Sequence, residues 1–226
     1  MTRYDKPLLL VTDEKIETVD QILPVLEVVA REGRPLVIFA EEIEGQALAA
    51  LIMNTVRGTM KVAAVKAPRY GEERRGILED LAISVGATFV NRLSGMKVQE
   101  TKLSDLGSAS KIEISRYLTT IMGGKGDVDD VENRIDTLKS QLEETENLHE
   151  CERLQDRITK LASGVAVIRV GGATEIEMIE KKHRIEDALE AVKSAQQEGI
   201  VAGGGTALVR ASTNIEIEVA NATIRC

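Results

Sequence analysis

Three short apolar runs constrain this chain most: PLLLVT (7–12), PLVIFA (35–40) and KVAAV (61–65), with a helix-length stretch between each pair. Strand-length runs joined by amphipathic helices require crossover connections, and crossovers of that kind build a parallel sheet with helices packed on it. In 18–32, Val19, Ile22, Leu23, Leu26, Val29 and Ala30 fall on one side and Gly33 stops the helix. Pro24 lacks the N–H that an interior turn needs, so the regular helix is expected to begin near Ile22 with Pro24 in its first turn. Leu23 and Leu26 then lie side by side. Residues 72–85 read as a third helix, acidic at its start and ended by Gly86, and 88–90 as a further short strand. The fold class is α/β.

The second helix, 43–58, is the unusual one. Ala47, Leu48, Leu51, Ile52 and Thr55 recur at helical spacing, Ala49, Ala50 and Met53 carry the apolar surface further round, and Gly58 sits where a left-handed C-cap belongs. Such a helix is either buried on both sides or leaves Leu48, Ile52 and Met53 open to a partner. An open apolar groove between two helices suits non-specific capture of peptide segments, and Met supplies adaptable contacts.

After residue 90 the rhythm changes. Residues 111–115 and 118–122 read as a β ribbon closed by the turn 123–127. Two polar helices follow, 129–144 with the stripe Val131, Ile135, Leu138 and Leu142, and 148–163 with Cys151, Leu154, Ile158 and Leu161. A short interval joins them, so an antiparallel hairpin zipped along those stripes is expected, its charge runs solvated. A strand at 165–170, a turn at Gly171-Gly172 and a long charged helix at 175–198 come next; Gly199 stops that helix and Gly203-Gly204-Gly205 opens a last short one. Gly164 reads equally as a hinge between two pieces or as a plain cap and turn.

Composition excludes several functions. Aromatic residues make up 2% with no Trp, against a base- or sugar-stacking platform, and the formal net charge of −8 opposes phosphate contacts. Cys151 and Cys226, far apart in sequence, favour a reducing compartment over a disulfide framework. No run approaches a membrane span, and residues 1–6 have no signal-peptide core, so a cytoplasmic location, or an organelle matrix, is expected. The glycine triplet could bring backbone N–H groups to a phosphate, yet no Gly-Lys-Ser/Thr follows it, and a flexible turn explains it as well. Asp187 is either a surface acid or a carboxylate orienting an attacking water. His149 and His183 have no ligand spacing around them, and no metal site is expected.

The segment AEEIEGQALAALIMNTVRGTMKVAAVKAPRYGEERRGILEDLA is similar to the apical-domain core of group I chaperonins, the GroEL family. KLASGVAVIRVGGATEIEMIEKKHRIEDALEAVKSAQQEGIVAGGGTALVR continues the resemblance, which covers roughly 7–210; its GVAVIRVGGATE and IVAGGGTAL blocks are highly specific. The resemblance implies an apical domain over 1–164, sheet layers flanked by helices with a helical hairpin. It implies a partial α+β intermediate domain over 165–198 and a remnant of the re-entering equatorial domain over 199–226. It further implies that Leu23, Leu26, Leu48, Ile52 and Met53 line a groove for non-native polypeptide and a co-chaperonin's mobile loop, with Asn54 and Arg57 on its polar margin. Asp187 matches the water-activating aspartate, Gly204 with Gly203 and Gly205 the nucleotide-contacting glycines, and Glu175 an acid that pairs with an adjacent subunit.

Departures temper this. The Gly-Asp-Gly-Thr-Thr phosphate loop and the family's N-terminal segments are missing, and ASTNIEIEVANATIRC at the end does not follow its helix-rich pattern. A fragment or truncated relative is expected, a monomer or small oligomer rather than the ring of the full-length family. ATP and Mg2+ belong to the complete architecture, and neither nucleic acid nor membrane is expected as a partner. The leading function is polypeptide capture. Its rivals are an ATPase using Asp187 and the glycine triplet, and a small-molecule α/β enzyme with a site at the sheet's carboxyl edge. With no earlier chain segment to pack on, the apolar faces of Val167, Ile176 and Leu189 are expected to lack partners.

Overall fold

The computed structural model describes residues 2–91, 93–145, 147–162 and 168–213. The chain divides into two compact units, 1–166 and 167–226. The chain is mixed α/β, and no described helix is long and apolar enough to cross a membrane.

The first unit is built on a mixed sheet. Strands β2 (Leu8–Val11), β4 (Leu36–Ala40) and β6 (Val62–Lys66) run parallel, as the crossover rhythm requires. Helix α1 (Val19–Glu32) connects the first pair and α2 (Gly45–Val56) the second. The expectation of a purely parallel sheet needs correction beyond them. Strand β7 (Gly107–Ile114) pairs antiparallel with β2, and β1 (Thr2–Asp5) pairs antiparallel with β7. The two pairings keep one register, so β1 and β2 are a single strand broken at Lys6-Pro7. Lys6 adopts φ 49° there, and its N–H still donates to Ser110 O at 3.0 Å. Pro7 cannot donate, which is where the ladder gives way.

The ribbon's second strand, β8 (Thr119–Gly124), lies on the other edge of β7. Gly123 and Gly124 were expected in a turn, but they end this strand, with Gly124 opposite Ala109. The reason is close passage against the C-terminus of α3 (Gly71–Val85), where the Gly126 N–H donates to Ser84 O at 3.2 Å. A Cβ on Gly124 or Gly126 would run into the Ser84 and Ile83 carbonyls. The expected strand at 88–90 is reduced to a single parallel bridge, Val90 with Thr12. A short parallel pair, β3 (Lys15–Ile16) with β5 (Glu42–Ile43), takes Ile43 out of the expected start of the second helix.

Helix α1 begins at Val19, not near Ile22, and carries Pro24 inside it. The Gln21 Oε1 accepts the Glu17 and Thr18 N–H groups at 2.8 and 3.0 Å, which fixes the start a turn early. The carbonyl that Pro24 leaves without a donor is that of Asp20, an exposed residue, so water can satisfy it.

Alternation along the strands divides the core. Leu8, Leu10, Leu36, Ile38 and Val62 meet α1 and α2 on one face. On the other, Leu9, Val11, Val37 and Phe39 meet Leu78, Ala82 and Val85 of α3. The expected helical hairpin is present as α4 (Val128–Glu144) and α5 (Leu148–Ala162), zipped by Leu138, Leu154 and Ile158 with Ile135, Leu142 and Leu161 at the margins. A buried carboxylate fastens it to α3. Asp80 accepts Arg134 Nε at 2.8 Å and Arg157 Nε at 2.6 Å, and Arg134 also reaches Glu79 at 2.7 Å. Gly76 leaves room for this, because a Cβ there would stand 2.9 Å from the Arg157 guanidinium carbon.

The second unit contains α6 (Glu175–Glu198) and α7 (Thr206–Thr213). Helix α6 is largely self-supporting. Its N-cap Thr174 accepts the Glu177 N–H at 3.2 Å, and Glu177 pairs with Lys181 and Lys182 with Glu186, each at 2.7 Å. Ile176 and Leu189 are exposed. Of the strand expected at 165–170, residues 168–170 have no regular structure, and Gly164, Val165 and Val167 lie outside the described residues, as does the tail from 214.

Candidate functional site

Helix α2 packs into the sheet through only two buried side chains, Ala47 and Leu51. The Ala47 N–H donates to Glu17 O at 3.0 Å, and Gly45 adopts φ 59° where a Cβ would stand 3.1 Å from that same oxygen. This close approach holds the start of α2 against the start of α1. Its other large apolar residues are uncovered: Leu48 is 36% exposed, Ile52 52%, Met53 50% and Val56 79%. No residue of α2 is charged.

The row Leu48, Ile52, Val56 faces the end of the sheet. With Leu51 and Thr55 of the same helix and Val62 and Ala64 of β6, it lines an open apolar groove of about 220 Å³. This groove is a different surface from the one expected between α1 and α2. Leu48 and Ile52 come together against β6, the terminal strand of the sheet order, and neither Leu23, Leu26 nor Met53 belongs to this lining. Leu26 is 5% exposed and sits in the core with Ile22, Val25 and Val29, whereas Leu23 is 44% exposed. Val56, Val62 and Ala64 were missed from sequence. The signal for the first was present, since 48, 52 and 56 continue one i, i+4 row.

Asn54 and Arg57 build the end of the helix. The Asn54 Nδ2 donates to Ala50 O at 3.0 Å, and its own Oδ1 and main-chain oxygen accept the Thr59 hydroxyl at 3.1 and 2.9 Å. This ties down the turn in which Gly58 takes φ 70°. Arg57 is the exposed C-cap residue, its cation placed where the helix dipole favours it.

The residues that the resemblance linked to a nucleotide and to an adjacent subunit lie in the second unit. Asp187 is exposed on α6, and Glu175 is exposed in that helix's first turn. Gly204 and Gly205 adopt φ 63° and 77°, which explains glycine there, but an added Cβ on any of Gly203, Gly204 or Gly205 would meet nothing within 4 Å. No close backbone approach demands the triplet. Among the described residues no group of three His, Cys, Asp or Glu could hold a metal ion.

At the carboxyl ends of β2 and β4, Asp13, Glu41, Gly71, Arg74 and Arg75 line a second hollow of about 230 Å³. Its cations are already matched, Arg74 with Glu41 at 2.7 Å and Arg75 with Asp13 at 3.4 Å. The pairing closes charge with charge and supplies no nucleophile beside a base, so a small-molecule enzyme finds no support here.

The fold thus places a charge-free helix, more apolar than its own core contacts use, along the open end of a mixed sheet. Residues 9–223 match the model of the TCP-1/cpn60 chaperonin family. The chain belongs to that family, and its role is that of a chaperone in protein folding.

Proposed function

We propose that the first unit captures non-native polypeptide on the apolar surface of α2, as the apical part of a group I chaperonin does. The observation that carries this is the set Leu48, Ile52, Met53 and Val56, uncovered on a helix whose packing needs only Ala47 and Leu51. A monomeric surface rarely leaves contiguous apolar area open without a use for it. Leu23, exposed on the adjoining helix, would add to the capturing surface, while Leu26 lies in the core with Ala47 and Leu51. A co-chaperonin's mobile loop would compete for this surface, with Asn54 and Arg57 at its margin. Chaperonins of this family assemble as rings around their substrate polypeptide, and Glu175 would serve contact between subunits there. The second unit would supply the intermediate domain over 165–198 and the start of an equatorial domain from 199. A cytoplasmic or organelle-matrix location accords with this reading.

The test is retention of a chemically unfolded, reduced polypeptide during size-exclusion chromatography. Leu48→Ser and Ile52→Ser should lose capture while far-UV circular dichroism and the melting transition stay near those of the parent. If Leu48→Ser unfolds the protein instead, α2 is ordinary core and the reading fails.

ATP and Mg2+ belong to the complete chaperonin. The described residues do not fit them: the glycine triplet makes no cradle and Asp187 stands exposed with no metal-ligand set beside it. The purified chain is expected to hydrolyse ATP no faster than buffer, because phosphoryl transfer needs a phosphate cradle and a held magnesium ion together. Steady turnover that disappears in Asp187→Ala would reverse that expectation.

A further inference from the structure

The groove beside α2 has a floor that a groove between two helices lacks. Its floor is β6, and β6 ends the sheet: the order β1-β7-β2-β4-β6 gives it no second neighbour among the described residues. Which of its backbone groups face outward follows from the ladder to β4. The Leu36 N–H donates to Lys61 O at 2.9 Å, and the Ala67 N–H donates to Ala40 O at 2.8 Å. In a parallel ladder inward-facing residues alternate, so 61, 63, 65 and 67 bond β4, and 62, 64 and 66 turn their backbone groups to the open side. The Val62 carbonyl there is already taken, by the Tyr4 and Thr55 hydroxyls at 3.3 and 3.4 Å. The Ala64 N–H and C=O and the Lys66 N–H remain for a partner strand.

The side chains agree with the backbone. Ala63 and Val65 point to the α3 face, whereas Val62 and Ala64 lie under α2 in the groove. Ala64 is small, so space above it is left for a side chain brought by an added strand, against the wall of Leu48, Ile52 and Val56. At the Val62 end stand Arg57, just past α2, and Lys61, just before β6; both are exposed, and neither has a carboxylate partner among the described residues.

We propose that the occupant of this groove is an extended polypeptide segment that adds to the β6 edge, with apolar branched side chains at alternate positions under α2 and an acidic residue at the Arg57–Lys61 end. A docked helix keeps its backbone groups for itself and cannot satisfy Ala64; an extended segment can. The uncharged wall accepts every second side chain, and the two cations select an acid at one end. This rests on the polypeptide-capture reading above and adds the backbone conformation and the charge that capture selects.

The experiment uses the whole chain and a fluorescein-labelled peptide alternating Val and Ser, with Asp residues at one end, followed by fluorescence anisotropy. The same peptide N-methylated at one set of alternate backbone nitrogens loses its edge donors without losing side chains; methylation of the other set leaves them intact. One of the two sets should weaken binding about tenfold or more, the scale of a lost hydrogen bond or two, and the other little. Ala64→Pro, which removes the outward N–H of an edge strand, should weaken it to a similar degree, and Lys in place of Asp in the peptide should weaken it further. Ile52→Ser should abolish binding of every peptide. Equal affinity for both methylated peptides and the parent, with Ile52→Ser still abolishing binding, would overturn edge addition and leave apolar capture standing. Binding that survives Ile52→Ser would overturn both. Self-association that excludes the peptide and is relieved by Ala64→Pro would place a second copy of this chain on the edge and overturn the proposal as well.

Discussion

Helices α1 and α2 follow equivalent strands, cover the same face of the sheet and touch at their N-terminal ends, yet they handle apolar residues oppositely. In α1 the apolar side chains Ile22, Val25, Leu26 and Val29 are buried, and the outward face carries Asp20, Glu27 and Arg31. In α2 two residues are buried, and the outward face remains Leu48, Ile52, Met53 and Val56. Core formation explains the first helix except for Leu23, which is 44% exposed. It explains about one side of the second, and the remainder of that helix's hydrophobicity has to be accounted for by something outside the fold.

The largest loss in stability should come from a place that leaves this contrast untouched. Asp80→Ala on α3 removes the buried carboxylate shared by the half-buried Arg134 and Arg157, and breaking such an arrangement costs up to about 3–5 kcal/mol. Urea denaturation should show the loss, with hydrogen exchange placing it in α4 and α5. Capture of unfolded polypeptide should persist under native conditions, because α3 and the hairpin lie across the sheet from α2. Capture lost together with the hairpin would mean that the apolar surface is not the property of α2 alone.

Within α1 the contrast sharpens between neighbours. Leu26→Ala should cost about 2–5 kcal/mol in denaturant unfolding, as a core truncation does, and Leu23→Ala should stay within about 0.5 kcal/mol. Comparable costs for the two would show that Leu23 is held in packing and that α1 contributes nothing to an open surface.

Leu23 and Leu26 also show where sequence reasoning stops. They belong to one i, i+3 pair, but three residues advance a helix by about 300°, so the two differ by about 60° around the axis. That is enough to put one in the core and the other at its border. Periodicity finds the stripe and does not find the stripe's edge, which the neighbouring element fixes. The same limit hid β1. Thr2–Asp5 contains a single large apolar residue, Tyr4, and becomes a strand only because it continues the register of β2 along β7, whose residues lie more than a hundred positions away. What was legible was local and repetitive: the apolar runs of the parallel strands, the glycine stops of α1 and α3, the paired stripes of α4 and α5. The α2 surface was legible too, as excess hydrophobicity. That β6 would form the other wall of its groove was not, because an edge is a property of the whole sheet.

The smallest expected effect separates the two helices by how their N-terminal ends are held. The start of α1 is fastened by the Gln21 amide, which does not titrate. The N-cap of α2 is Glu44, which makes no side-chain capping bond. What holds that corner is Glu42 on β5, between Lys66 at 2.6 Å and Lys15 at 3.4 Å. The hydrogen bond and charge of Lys66, helped by Lys15, hold the Glu42 carboxyl below its ordinary 4.5. A carboxylate that is more acidic folded than unfolded contributes its full stability above the unfolded value and loses it as pH falls through the folded one. The group is partly open to solvent, so the contribution is small and weakened further by salt. The observable is therefore a ratio. On acidification below 4.5, hydrogen-exchange protection of the Ala47 amide should decline relative to that of amides in the middle of α1, measured in the same sample. In Lys66→Met, where Glu42 keeps only Lys15, that relative decline should shrink and be complete at higher pH. A decline of the same size and midpoint in both proteins would show that the corner is held by the Ala47–Glu17 backbone bond alone, and that the two helices differ in what they expose but not in how they are anchored.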